Sequence, residues 1–158
     1  MVKESVDFII IDNVSKKFGE KTVLNGVSAT IRTGESLGLI GKSAAGKSVL
    51  IMMLRGSEEY APTSGRVIYR VNKCMGCENL DLPYEGTPCT KCGSDTKTIS
   101  IDYWSLGSDD PLKRRLRNRI AIMLQRTFAL FGDKTVIENL FEAIGDRADG
   151  KDRTKLAQ

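Results

Sequence analysis

The stretch GKSAAGKS, residues 41–48, decides the fold, because it interrupts an apolar run with small and charged residues. The run before it, ESLGLIG (35–41), predicts a short strand that is buried on both faces. The segment after it, GKSVLIMMLRG (46–56), has apolar residues at near-helical spacing and closes on a glycine, as helices often do. Strand, loop and helix in this order are the context in which the pattern G-x-x-x-x-G-K-[ST] binds phosphate groups.

Each residue type in this loop has a physical reason. Triphosphate oxygens need many donors close together, and backbone N–H groups supply them only where the side chains are small. The start of the helix adds the positive end of its dipole. Lys47 would reach the β- and γ-phosphates, which makes it a catalytic candidate, and the Ser48 hydroxyl would ligate Mg²⁺. The predicted nucleotide-binding residues are Gly41, Lys42, Ser43, Ala44, Ala45, Gly46, Lys47, Ser48 and Val49.

Two alternatives to a triphosphate loop are weaker. A chance match in a glycine-containing turn would not explain why a strand precedes the loop and a helix follows it. A dinucleotide-binding loop would need the pattern G-x-G-x-x-G, which the sequence lacks.

Two cysteine pairs, Cys74-x-x-Cys77 and Cys89-x-x-Cys92, form a second chemical feature. Each spacing lets both thiolates of a pair face one ion, and four sulfur ligands in a tetrahedron suit Zn²⁺. The chain contains no histidine, so a zinc site here must use cysteine alone. Four sulfurs leave no open position, which favours a structural zinc over a catalytic one. An iron–sulfur cluster is the alternative, because spacing alone does not identify the metal.

Composition sets broad limits on the class of protein. The chain of 158 residues suits one domain, and it contains no apolar stretch of the roughly 20 residues that a membrane helix needs. Its first residues lack the basic start of a secretory signal, so we expect a cytoplasmic protein. The net charge of +4 is too mild to argue for nucleic acid on its own. A basic run is interpreted as a solvated helix face rather than a binding patch; it comprises Lys113, Arg114, Arg115, Arg117 and Arg119.

The remaining elements follow from local patterns. Strands are predicted at 6–18, 22–31, 65–71, 97–104 and 120–124, and further helices at 108–119 and 135–144. The helix at 108–119 has an aspartate cap and Pro111 in its first turn, and the last helix opens with a Thr-x-x-Glu capping box. Residues 72–98 hold all four cysteines and few aliphatic residues. They are interpreted as a metal module inserted between 1–71 and 99–158.

The order of these features resembles the nucleotide-binding domain of ATP-binding cassette (ABC) proteins, over nearly all of the chain outside the cysteine segment. The matching stretches are NVSKKFGEKTVLNGVSATIRTGESLGLIGKSAAGKS (13–48), APTSGRVIY (61–69) and IAIMLQRTFALFGDKTVIENL (120–140). The resemblance implies an α/β fold, a P-loop NTPase core of ABC type with an antiparallel β subdomain. It also implies that Phe18 stacks on adenine, that Gln125 contacts Mg²⁺ and the attacking water, and that a second nucleotide-binding domain completes a head-to-tail sandwich.

A narrower resemblance rests on the four-cysteine insert between SGRVIYRV and RRLRNRIAIMLQ. This arrangement is similar to one branch of the family, the ATP-binding component (component A-two) of the methyl-coenzyme M reductase activation system of methanogens. It implies ATP use that supports reductive activation of a nickel cofactor, with the components of that complex as partners. The other hypotheses are the ATP-binding subunit of an ABC transporter, a non-hydrolysing module that docks proteins through its zinc insert, and a nucleic-acid-dependent ATPase.

The sequence also departs from the family pattern. It contains no LSGGQ-like signature, no apolar strand ending in Asp-Glu and no switch histidine. We therefore expect the C-terminal half of the cassette to be absent from these residues, and we expect them to bind nucleotide weakly and hydrolyse it negligibly. Ala44 stands where the family often has glycine, although alanine is still small enough for a phosphate loop.

Overall fold

The computed structural model describes residues 5–122 and 135–139. The chain divides into two compact units, Met1–Ile120 and Ala121–Gln158. The described part of the first unit contains five strands: β1 (Asp7–Phe18), β2 (Lys21–Arg32), β3 (Ser64–Cys74), β4 (Leu80–Asp81) and β5 (Thr96–Asp102). It also contains the helices α1 (Lys47–Arg55) and α2 (Pro111–Arg117) and two single 3₁₀ turns, Glu58–Tyr60 and Tyr103–Ser105.

The five strands form one antiparallel sheet in which β3 is central. β1 pairs with β2 on one side and with the first half of β3 on the other. β5 runs along the opposite edge of β3, from Ile68↔Asp102 to Cys74↔Thr96. The short β4 pairs with Asn72 and Lys73, beyond the part of β3 that pairs with β1. The antiparallel β subdomain implied by the sequence is therefore present.

The core lies where α1, α2 and the turn after β5 pack against this sheet. The turn contributes Tyr103, whose ring meets that of Tyr69 edge-on at a centroid distance of 5.9 Å. Edge-to-face aromatic pairs of this kind stabilise the folded chain beyond the contribution from burying their apolar surface. The buried apolar residues are Ile11, Val14, Leu24, Leu50, Met53, Val67, Tyr69, Val71, Leu80, Ile101, Tyr103 and Leu116.

Two predicted strands differ from what the structure shows. Residues 35–42 carry no strand, and Ile40 is 96% exposed. A buried parallel strand needs neighbouring strands for its backbone hydrogen bonds, and no other segment of the described ranges pairs with this one. The strand predicted at 120–124 is likewise absent from residues 120–122, and its last two residues lie outside the described ranges.

The described part of the second unit is short, but it tests one prediction. Residues 136–139 are helical. The Thr135 backbone amide donates to the Glu138 carboxylate at 2.7 Å, and the Glu138 amide donates to the Thr135 hydroxyl at 3.3 Å. This reciprocal pair is the predicted capping box. Among the described residues, no helix combines the length and the apolar character that a membrane span requires.

Candidate functional site

The loop 41–48 is fixed to the sheet through Gly46. This residue precedes α1 with φ 85° and ψ 2°, in the left-handed region that glycine adopts most easily. A Cβ atom at this position would lie 2.9 Å from Leu24 Cδ2 and 3.0 Å from the Val23 carbonyl oxygen. Gly46 is therefore required both by its backbone conformation and by the close approach of β2. The contact sets the point at which the loop turns into the helix.

The start of α1 is suited to an anion. Its first turn contains no acidic residue, and Gly46 provides no side-chain cap. The first backbone N–H groups of a helix have no partner within the helix, and together with the dipole they attract negative charge. Residues 41–45 are exposed, so a ligand has access to the loop. The exposed, uncapped start of this helix has the features that phosphate oxygens would need there.

Lys47 folds back over the loop. Its ammonium group donates to the carbonyl oxygens of Gly41 and Lys42, at 2.7 Å each. The positive charge therefore lies beside the loop that is predicted to hold the phosphates. Ser48 follows in the first turn of α1, where it is exposed, and Val49 is half-buried.

Ala44 adopts a strained backbone conformation in the middle of the loop, with φ 61°. A residue with a Cβ atom costs about 1–2 kcal/mol in the left-handed region. The glycine that the family often has at this position would avoid that cost. The next amide, that of Ala45, closes the turn by donating to the Lys42 carbonyl oxygen at 3.3 Å.

Phe18 lies at the same end of the β1–β2 hairpin as the loop. It pairs with Lys21, and β2 reaches the Gly46 contact at Val23, about 7 Å further along the strand. Phe18 is 38% exposed, and the Lys16 ammonium lies 4.7 Å from the centroid of its ring. Gln125, the other residue implied by the family resemblance, lies outside the described residues.

The four cysteines come together at the far end of the β3–β5 pair. Their sulfur atoms all lie within 4.8 Å of one another. Cys74 and Cys92 are 3.5 Å apart at Sγ, and Cys77 and Cys89 are 3.6 Å apart. A tetrahedral ion with metal–sulfur bonds of about 2.3 Å places its ligands about 3.8 Å apart. The cluster is therefore compact enough that it could hold one metal ion.

Backbone amides donate hydrogen bonds to sulfurs of both cysteine pairs. Gly76 N and Cys77 N both donate to Cys74 Sγ at 3.3 Å, and Lys91 N donates to Cys89 Sγ at 3.4 Å. Hydrogen bonds of this kind favour the thiolate, which is the form that binds metal. The two turns that carry the cysteine pairs thus present their N–H groups to the site in the same way.

The acidity of the thiols differs within the cluster. Hydrogen bonds from the side chain and backbone of Ser94 lower the pKa of Cys92 to about 6. The Cys77 amide is the main reason that the pKa of Cys74 is also lowered. The Asn79 amide favours the Cys77 thiolate, but the neighbouring thiols and burial outweigh it and raise the pKa of Cys77 to about 12. Crowded sulfurs cannot all ionise without a cation, so a metal ion would resolve this competition.

Several residues that support the cysteine turns were missed in the sequence. Asp81 joins the two turns, because its carboxylate accepts from Thr90 N at 3.1 Å and from Asn79 Nδ2 at 3.0 Å. Asn72 is buried, donates to the Tyr84 carbonyl oxygen at 2.6 Å, and accepts from the Thr98 hydroxyl at 2.6 Å. Composition alone gives no signal for these contacts, since Asn and Asp are also common in loops.

The basic run is mostly engaged in contacts within the chain. Lys113 is buried and pairs with Glu58 at 3.0 Å. Arg115 pairs with Glu78 at 2.5 Å, and Arg119 donates to the Asn79 side-chain oxygen. The prediction of a solvated helix face is therefore wrong for Lys113, whereas Arg115 and Arg119 are exposed and also contact groups of this chain.

Comparison with known proteins identifies the family. A sequence model of the family described as ABC transporter matches residues 24–158. The chain belongs to this family. The match includes the phosphate loop, α1 and the cysteine segment.

Individual ABC relatives match the chain to different extents. An uncharacterized ABC transporter ATP-binding protein of Methanocaldococcus jannaschii is 50% identical over 149 residues, or 93% of this chain and 27% of the relative. A methionine import ATP-binding protein of Rhizobium johnstonii is 29% identical over 136 residues, or 86% of this chain and 28% of the relative. An aliphatic sulfonates import ATP-binding protein of Agrobacterium fabrum is 49% identical over 55 residues, or 35% of this chain and 19% of the relative. The chain thus spans about a quarter of the length of the relatives that it matches most fully.

Proposed function

We propose that this chain is the ATP-binding part of an ABC-type ATPase, and that residues 41–49 hold the triphosphate of ATP with Mg²⁺. The observation that carries the proposal is the geometry at Gly46. A left-handed glycine locked against β2 begins a helix whose first turn has no cap and no acid, and Lys47 lies over the adjoining loop. A polyanion is the ligand that such a constellation stabilises.

The roles of the individual residues follow from their chemistry. Lys47 would exchange its two carbonyl acceptors for phosphate oxygens, which bind an ammonium ion more strongly because they are charged. The Ser48 hydroxyl would join Gln125 in holding Mg²⁺, which neutralises charge on the phosphates. Phe18 would offer its exposed ring to the adenine base. The phosphates would thus be bound by one short segment and its helix, and Mg²⁺ by Ser48 of that segment together with Gln125.

We further propose that the four cysteines hold one structural Zn²⁺. The sulfur separations fit a tetrahedral ion, and four sulfurs leave no position for substrate. A metal ion there would let the segment 72–98 hold its shape with few apolar residues of its own. An iron–sulfur cluster is the competing occupant, and metal analysis of protein purified without added metal distinguishes the two.

For the whole protein we propose a soluble, cytoplasmic ATPase that supports ATP-dependent reductive activation of methyl-coenzyme M reductase. The four-cysteine segment within an ABC cassette supports this assignment through the resemblance described above. Its partners would be a second nucleotide-binding domain and the components of the activation complex. The competing function is the ATP-binding subunit of an importer, which is favoured by relatives described as import ATP-binding proteins.

A nucleic-acid-dependent ATPase has less support. Its basic patch would have to come from the run at 113–119, and three of those five side chains already contact groups of this chain. A phosphate backbone would have to compete with those contacts.

Calorimetry with Mg·ATP tests nucleotide binding. We expect the full-length protein to bind, Lys47→Ala to bind at least tenfold more weakly, and Lys97→Ala, which removes an exposed lysine on β5, to bind normally. Equal binding by Lys47→Ala and Lys97→Ala would contradict the proposal. Phosphate release from the 158 residues should be negligible, because a signature motif and an Asp-Glu pair are not among them.

The physiological role is tested separately, by reconstitution. The full-length protein, ATP and a reductant would be added to inactive reductase with its activation components, and the reduced, paramagnetic nickel would be followed by electron paramagnetic resonance. A signal that requires both ATP and Lys47 supports reductase activation. Stable association with a membrane permease, without such a signal, supports the importer.

A further inference from the structure

The turn 74–79, which carries the first cysteine pair, is closed on itself but strained. The Cys74 amide donates to the Asn79 carbonyl oxygen at 2.9 Å, so the two ends of the turn meet. Between them Glu78 adopts φ 56°, in the left-handed region that non-glycine residues avoid. A conformation of this kind persists only where the surroundings hold it in place. The turn therefore needs contacts beyond its own hydrogen bonds.

Those contacts come mainly from Arg115 on α2 and from Arg119 just after it. Arg115 Nη1 donates to one carboxylate oxygen of Glu78 at 2.5 Å and to the Glu78 carbonyl oxygen at 3.4 Å. The other carboxylate oxygen of Glu78 lies 3.4 Å from the Lys73 ammonium, and Arg119 donates to the Asn79 side chain. Both the side chain and the backbone of the strained residue are thus held from outside the turn.

α2 is itself anchored on its other side, so it can serve as a fixed support. The Asp110 side chain caps it by accepting from Leu112 N at 2.7 Å, and Pro111 occupies its first position. Leu116 is buried in the core, and Lys113 is buried beside Glu58. Arg114 lies on the same helix but is exposed, and within the described ranges its side chain has no hydrogen bond or ion pair.

We propose that Arg115 is a positioning residue of the four-cysteine metal site, which it supports by holding Glu78 and thereby the turn of Cys74 and Cys77. The inference rests on the metal site proposed above. Groups that orient metal ligands from outside contribute about 10–100-fold to metal affinity. The Arg115 and Glu78 side chains are about half exposed, so water and salt weaken their attraction. We therefore expect an effect at the lower end of this range.

The test is zinc affinity, measured on the full-length protein by competition with a chromophoric chelator. Arg115→Ala should bind zinc about tenfold more weakly than wild type, and Arg114→Ala should bind like wild type. The double variant with Glu78→Ala should be weaker than Glu78→Ala alone by much less than tenfold, because the carboxylate contact is lost in both and only the 3.4 Å contact with the Glu78 carbonyl oxygen is left for Arg115→Ala to remove. Arg115→Lys should recover part of the affinity. Fluorescence of Trp104, which packs against Tyr103, checks that each variant is folded.

The outcomes separate the two proposals. If wild-type protein binds no zinc, the metal site and the role of Arg115 both fail. If wild type binds zinc and Arg115→Ala matches Arg114→Ala, or if the effects of Glu78→Ala and Arg115→Ala simply add, only the role of Arg115 fails.

Discussion

Replacing Gly46 with alanine should damage the chain in two ways that the structure allows us to estimate. The left-handed conformation at φ 85° costs an alanine about 1–2 kcal/mol. The added Cβ atom would also lie 2.9 Å from Leu24 Cδ2 and 3.0 Å from the Val23 carbonyl oxygen, and overpacking of this kind costs about 1–3 kcal/mol. Gly46→Ala should therefore lower the free energy of unfolding by about 2–5 kcal/mol. Loss of ATP binding should accompany it, because the start of α1 must shift away from β2.

Urea unfolding followed by circular dichroism measures the first effect, and calorimetry with Mg·ATP measures the second. Gly38→Ala is the matched control, since a Cβ atom at Gly38 meets nothing within 4 Å and its φ is outside the left-handed region. That variant should stay within about 0.5 kcal/mol of wild type. If Gly46→Ala unfolds at the same urea concentration as Gly38→Ala, the close approach of β2 to the loop is not as described.

Three further changes have expected outcomes. Ala44→Gly should raise the free energy of unfolding by about 0.5 kcal/mol, because relief of the strained φ slightly exceeds the added freedom of the unfolded chain; a lower urea midpoint would contradict this. Asn72→Ala should cost about 2 kcal/mol in the same assay, because it removes two hydrogen bonds of a buried side chain, each worth about 1 kcal/mol, whereas a cost below about 0.5 kcal/mol would refute it. Chelation of the metal should lower the thermal midpoint and speed amide exchange at residues 74–98 rather than in α1; uniform faster exchange would argue against a local role.

Much of the sheet was predictable because its information is local. The β-branched runs of β1 and β2 are separated by a turn, and the Asp110 cap with Pro111 marks the start of α2. The apolar run at 35–41 shows the limit of this reasoning, since its residues have strand character but Ile40 is 96% exposed. A strand also requires a hydrogen-bonding neighbour, and local sequence does not say whether one is available.

The candidate site was also predictable only where its information is local. The spacing of small residues, lysine and serine predicts the phosphate loop, and the cysteine spacing predicts the cluster. The contacts of Arg115 with Glu78 join residues 37 positions apart, and charge alone did not separate them from a solvated surface. Composition predicts a separate module at 72–98; in the structure β3 ends at Cys74 and β5 begins at Thr96. Asn72 is a polar residue that the sequence pattern assigns to the surface. It is nevertheless buried in β3, where its hydrogen-bonding partners satisfy its side chain.

The ladder between β3 and β5 ends on a metal ligand, since Cys74 is the last residue of β3 and lies opposite Thr96. Successive side chains of a strand point to opposite faces, so one inserted or deleted residue would turn this cysteine away from its three companions. The paired length of β3 and β5 can therefore change only in steps of two residues, made in both strands together. Insertions and deletions of other lengths in residues 74–98 would be confined to the loops between the cysteines. The pairing of β3 with β5 would keep its alternation of side-chain direction.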